Sequence, residues 1–156
     1  MNERVSVLKA DLRAARQAIE SAYAALGSYG EADWDRERTI LVAYHLHGLY
    51  GGFENAFQRI AEAFENEVPD PSRWHALLLQ RMTLDIEGVR PRFVGDEAFD
   101  CLDELRRFRH VFRTAYAVPL DPQRLKLVWE KAQKLRCLYP VDFERFLAFL
   151  DGMDRP

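Results

Sequence analysis

The stretch that decides the fold is Trp34–Asn66, WDRERTILVAYHLHGLYGGFENAFQRIAEAFEN. It contains no proline. Its apolar positions Ile40, Leu41, Tyr44, Leu49, Phe53, Phe57, Ile60 and Phe64 recur at helical spacing, not with the alternation of a strand. Asp33, just ahead of it, is placed as an N-cap. Gly51 and Gly52 interrupt the pattern. A glycine inside a helix costs about 1 kcal/mol relative to alanine, and paired ones point to close approach by another helix or a ligand.

Working outward, the segment Glu3 to Leu26 repeats the pattern with Val7, Leu8, Leu12, Ala15, Ile19, Ala22, Tyr23 and Leu26, and Gly27, Ser28 and Gly30 end it. Downstream, a shorter segment runs from Pro71 to Met82, with Asp70 or Ser72 near its start. A loop carrying Gly88, Pro91 and Gly95 follows, then a helix from Asp96 to Ala117. Leu120-Asp121-Pro122 reads as an N-cap followed by proline at the first helical position. The spacing predicts that this helix ends near Leu138 and that Tyr139-Pro140 starts a last one, reaching Leu150. No segment has a period of two or a series of hairpin turns. The expected fold is all-α: an antiparallel bundle of about four main helices plus short ones, one domain across residues 1–156.

Composition narrows the function. With 48% hydrophobic and 12% aromatic residues the chain can build a core, which excludes wholesale disorder. No apolar run approaches the roughly 20 residues that span a bilayer; the stretch near residue 40 is broken by His45, His47 and Gly48. The start, MNERVSVLKADLR, lacks the apolar core of a secretion signal, and the expected location is the cytoplasm. Cys101 and Cys137 have no metal-type spacing and are expected to be small buried residues. A net charge of −3 is not that of a general nucleic-acid binder, yet 18 of the 22 basic residues are arginine, whose planar fork suits phosphate. Glycine-rich phosphate loops, GxSxG elbows and HExxH pairs do not occur. His45 and His47, two apart, lie on different sides of a helix. No cofactor and no metal are expected.

The chemistry concentrates in Leu102–Tyr116, LDELRRFRHVFRTAY. At ~100° per residue, with Arg106 at zero, His110 falls near ~40°, Arg113 near ~340°, Arg109 near ~300° and Tyr116 near ~280°. Cys101, Leu105, Phe108, Phe112 and Ala115 form an apolar arc opposite, extended by Val111. One face is therefore buried while another presents Arg106, Arg109, His110, Arg113 and Tyr116. Arginines bind phosphate and stabilise charge on a phosphorane-like transition state. A histidine exchanges protons with a ribose hydroxyl, and Tyr116 suits stacking on a base or binding phosphate. Acids early and bases late also complement the helix dipole, so the same strip fits a solvated face. In the deciding stretch, His47, Tyr50, Gly51 and Glu54 share a face, and Glu54 is placed to pair with an arginine of the Asp96–Ala117 helix. His75, after Trp74, reads as a packed or interfacial histidine.

Three blocks give the sequence a resemblance to the HepT-like branch of the HEPN superfamily. They are Tyr50-Gly51-Gly52-Phe53-Glu54-Asn55, the run Trp74–Met82 (WHALLLQRM), and Leu102-Asp103-Glu104-Leu105-Arg106-Arg107-Phe108-Arg109-His110 continuing through Arg113 and Tyr116. The turn Val89-Arg90-Pro91 and the helix start Leu120-Asp121-Pro122 fit as well. The resemblance implies a homodimer whose histidine-bearing helices line a shared cleft. It implies a metal-independent ribonuclease serving as the toxin of a type VII toxin–antitoxin pair, beside a minimal nucleotidyltransferase that in some systems adenylylates a tyrosine following the motif histidine. The expected roles are His110 as general acid/base, Arg109 and Arg113 on phosphate, Arg106 in the basic strip, Tyr116 on the nucleotide and Glu54 orienting an arginine or the histidine. In the family's motif four to six residues separate the arginine from its histidine, so Arg106 is one residue too close to His110. Asp103, Glu104 and Leu105 occupy the positions that spacing requires, and the only formal match is Arg38 to His45. The family's tyrosine two after the histidine is Phe112. These departures favour an alternative: a non-catalytic nucleotide-binding or regulatory docking subunit of the nucleotidyltransferase.

Overall fold

The computed structural model describes residues 2–30, 34–65, 74–114 and 120–154. These form five helices: α1 (Glu3–Gly27), α2 (Arg36–Phe64), α3 (Trp74–Arg81), α4 (Asp96–Thr114) and α5 (Pro122–Met153). The described residues contain no strand; one antiparallel bridge, Ile86 to Arg90, closes a tight turn at Gly88, whose φ is 76°. The all-α bundle read from periodicity is what the chain forms.

α2 lies against every other helix, with α1 and α5 on its flanks, α4 across it and the short α3 bridging α2 and α4. Its buried stripe is Thr39, Val42, Ala43, Leu46, Leu49, Tyr50, Phe53, Ala56, Phe57 and Ile60. That is one helical phase throughout. The expected Ile40, Leu41 and Tyr44 fall on the outer side and are exposed. In α1 the same holds for Val7, which is exposed while Val5 takes the inner position. The two helices approach most closely at Gly52, where an added Cβ would stand 2.9 Å from Ile19 Cγ1. Gly48 and Gly51 have open space instead. Of the paired glycines, only Gly52 answers to helix packing.

The cap of α2 is Asp35, not Asp33: the Asp35 carboxylate accepts from the Arg38 N–H at 2.8 Å, and Asp33 lies outside the described residues. So do Asp70, Pro71 and Ser72, the expected start of the third segment. Asp121 caps α5, with Pro122 in its first turn, as expected. α5 then runs unbroken through Pro140, so the expected break at Tyr139-Pro140 is absent. A proline inside a helix costs roughly 3 kcal/mol. Here Leu135 and Tyr139 before the proline and Phe143, Phe146 and Leu150 after it are buried along one stripe, so packing offsets that cost on both sides. Tyr139 stacks on Tyr23 at 5.6 Å, and the Tyr23 hydroxyl donates to the Ala132 carbonyl at 2.7 Å. Phe93 from the α3–α4 connection packs edge-on against Phe57, Phe143 and Phe146, completing an aromatic core.

That connection is fixed by Arg90, whose side chain is 0% exposed. Its guanidinium donates to the Glu65 carboxylate at 2.7 Å and to the carbonyls of Arg81, Leu84 and Pro91. Asp142 of α5 accepts from the Gly95 N–H at the start of α4, at 3.2 Å. The two contacts set where α4 begins and how it lies on α2. Cys101 is buried, but Cys137 is exposed, contrary to expectation: α5 turns its outer face there.

Candidate functional site between α2, α3 and α4

Three residues of α2 face α4 at successive turns: His47, Tyr50 and Glu54. Tyr50 is wholly buried and Glu54 nearly so. A buried carboxylate needs a charged or hydrogen-bonded partner on each oxygen, and Glu54 has both. Oε1 accepts from Arg109 Nη1 of α4 at 2.6 Å, and Oε2 lies 2.7 Å from His75 Nδ1 of α3. An ionised carboxylate only accepts, so His75 Nδ1 carries the hydrogen in this arrangement. The exposure gradient runs outward from the carboxylate: Glu54 is 5% exposed at its side chain, Arg109 21% and His75 40%.

Around this bridge the α4 arginines separate into distinct environments. Arg106 donates through Nε and Nη2 to Asp103 Oδ1, and exposed Arg107 pairs with Asp103 Oδ2 at 3.1 Å. Arg113 is exposed and makes no ion pair among the described residues. His47 meets Phe112 edge-on at 5.0 Å. Partial burial, and then the positive charges of Arg109 and Arg113, hold its imidazole below the usual histidine pKa. Burial, and next the Glu54 charge, push the Tyr50 phenol well above its ordinary value. Its hydroxyl has no hydrogen-bond partner among the described residues, and neither has Arg109 Nε.

The sequence-expected residues therefore divide. Glu54 meets an arginine of α4, as its face on α2 suggested, and that arginine is Arg109. Arg109 is half-buried on that carboxylate, not on an open strip. His110 is exposed, and so is Val111, which does not extend the apolar arc. Tyr116 and Ala115 lie outside the described residues. His75 joins the site although the sequence offered it no chemical role: it reaches Glu54 from 21 positions away, across a connection that periodicity cannot place. His47 was legible as a neighbour of Glu54 on one face, but not as a neighbour of Arg113. No group of three or more histidine, cysteine or acidic residues among the described residues could hold a metal, and no helix there is long and apolar enough to cross a membrane.

A family model described as HepT-like protein matches residues 41–150, from within α2 to within α5. The chain belongs to the HepT-like family. Its five helices are the helical HEPN fold of that family. Glu54, His75, Arg109, His110 and Arg113 of this HepT-like chain all lie inside the matched span. No curated protein and no solved structure matches it.

Proposed function

We propose that this HepT-like chain is an RNA-directed protein that cleaves RNA without a metal. It would act as the toxin component of a type VII toxin–antitoxin pair with a minimal nucleotidyltransferase, as a homodimer in the cytoplasm. The observation that carries the reading is the Glu54–Arg109 bridge at 2.6 Å. It anchors a guanidinium beside the exposed Arg113 and the exposed His110, giving α4 one fixed cation and one solvent-facing cation next to a proton carrier. RNA brings its own nucleophile, the 2′-hydroxyl. Transesterification calls for guanidinium groups that stabilise the phosphorane-like transition state and for imidazole to move protons. In this reading Arg109 and Arg113 contact phosphate, Arg106 supports the strip from its Asp103 pair, His110 moves a proton, and Tyr116 contacts the nucleotide.

The test is incubation of the purified protein with total tRNA, with and without EDTA. The expected result is cleavage in both, leaving 2′,3′-cyclic phosphate ends, and its loss in His110→Ala. Loss on chelation, or full activity in the variant, refutes the mechanism. A second reading, a non-catalytic nucleotide-binding or docking subunit of the nucleotidyltransferase, is favoured by one observation: three of the four arginines from Arg106 to Arg113 already have carboxylate partners in Asp103 and Glu54. It is the outcome supported if the protein binds RNA or the nucleotidyltransferase and cleaves nothing.

A further inference from the structure

Cleavage by a 2′-hydroxyl needs two proton transfers, one from the attacking oxygen and one to the departing oxygen, and α4 supplies a single histidine. We propose that His75 of α3 is the base: its Nε2 takes the proton from the ribose 2′-hydroxyl, with Glu54 as the positioning residue that fixes the ring. This rests on the RNA-directed reading above. The 2′-O–H bond breaks and the proton passes to Nε2. The 2′-oxygen bonds to phosphorus, the P–O5′ bond breaks, and the 5′-oxygen takes a proton from the His110 imidazolium. The products are a 2′,3′-cyclic phosphate and a 5′-hydroxyl; both imidazoles exchange protons with water to reset.

The argument is geometric. Glu54 accepts at Nδ1, at 2.7 Å, which leaves Nε2 of the neutral ring with its lone pair. The carboxylate is itself immobile, because its other oxygen is held by Arg109 at 2.6 Å and its side chain is only 5% exposed. A histidine retained for packing would bury its ring. His75 is instead 40% exposed at the side chain, with the Trp74 ring 5.0 Å away at 70° as a wall on one side. The charges around it complete the case. Glu54 from α2 meets Arg109 from α4 with Oε1 and His75 from α3 with Oε2, so the ring sits against a carboxylate oxygen that no arginine takes. His47 lacks this support: its ring lies against Phe112 and no carboxylate partners it among the described residues.

Three measurements test this on the full chain with labelled tRNA. In His75→Gln, kcat should fall by about 10²–10⁴-fold, the usual worth of a general base, with KM unchanged. In His75→Ala, free imidazole should restore part of the lost rate, because the ring site opens to solvent. In Glu54→Gln, kcat should fall with KM held, and the nitrogen-15 spectrum of His75 should lose the single tautomer, with hydrogen on Nδ1 and a lone pair on Nε2, that the wild type shows. Wild-type kcat in His75→Gln, with His110→Ala inactive, overturns the role of His75 and leaves the RNA-cleaving reading standing. A wild type that cleaves no tRNA overturns both. A lone pair on Nδ1 in the wild-type spectrum overturns the dyad whatever the activity, and that readout remains should a variant fold poorly.

Discussion

The three glycines of α2 allow the helix packing to be checked with single methyl groups. Each of Gly48→Ala, Gly51→Ala and Gly52→Ala removes the same backbone-entropy cost, and on propensity alone each should stabilise by about 0.8–1.0 kcal/mol. The surroundings then decide the sign. A Cβ at residue 48 or 51 meets nothing within 4 Å, so those two variants keep the gain. A Cβ at 52 would stand 2.9 Å from Ile19 Cγ1. That atom is the inner methylene of a side chain that is 0% exposed, so it cannot swing into solvent. Either Ile19 leaves its rotamer or α1 retreats from α2, and such overpacking costs about 1–3 kcal/mol. Propensity cancels between neighbouring variants, so Gly52→Ala should lie about 1–3 kcal/mol below Gly51→Ala. Urea unfolding at constant m reads this as a shift in midpoint. The double variant with Ile19→Ala supplies the control. With the methylene gone, the methyl introduced by Gly52→Ala fills space in place of clashing, and the coupling should be about 0.5–3 kcal/mol in the favourable direction. Should Gly52→Ala prove as stable as Gly51→Ala, or the coupling be zero, the close α1–α2 approach described above is wrong.

Arg90→Met should destabilise by about 3–5 kcal/mol, because it strands the Glu65 carboxylate and three carbonyls, and Arg90→Lys should not restore the loss, since an ammonium cannot reproduce the fork; a midpoint near wild type for either variant refutes the anchoring role. His47 has a folded pKa below its unfolded value of 6.5, so the unfolded chain binds the proton more readily and stability falls as pH drops from 6.5 through the folded pKa. Urea midpoints between about pH 7.5 and 5.5 should show a shallower decline in His47→Gln than in wild type, and equal slopes refute the assignment. Arg113→Ala should lower the salt slope of single-stranded RNA binding by about 0.7 with stability unchanged, whereas Arg106→Ala should change it less; equal slopes in Arg113→Ala and wild type refute phosphate contact there.

What the sequence made legible follows from what periodicity can report. The buried stripe of α1 and the later turns of α2, and the capped start of α5, were readable because a 3.6-residue repeat or a local signal, Asp121-Pro122, encodes each within its own segment. Pro140 was misread for the complementary reason. The local rule ends a helix there, while the contacts on either side of the proline come from Tyr23 on α1 and Phe93 ahead of α4, distant in sequence. Ile40 and Tyr44 were assigned inward because they are apolar, although the phase set by Phe53, Phe57 and Ile60 places them outward. At the site, the helical wheel located Arg109 and Glu54 separately but could not give the angle at which α4 crosses α2. It therefore set Arg109 with His110 on one open face, where the structure turns Arg109 inward. His75 was beyond any local signal.

The division of charge along α4 has a consequence for how a polyanion would lie on it. Asp103 is shared by Arg106 and Arg107, and Glu54 holds Arg109, so carboxylates offset most, but not all, of the arginine charge in the amino-terminal part of the strip. Among the described arginines of α4, the one with no carboxylate partner among the described residues is Arg113, one turn beyond Arg109. The neighbouring His47 registers the field of both, since their positive charges add to burial in disfavouring its own protonation. Electrostatic attraction for phosphate thus rises toward the carboxyl-terminal end of α4, against the direction in which the helix dipole alone would draw an anion. An anion settled there would offset the repulsion on His47 and raise its pKa, linking phosphate occupancy to the protonation of a histidine on the next helix. The Glu54 bridge has a different task. It ties Arg109 and His75 to one buried carboxylate, while Arg113 stays exposed one turn further along α4.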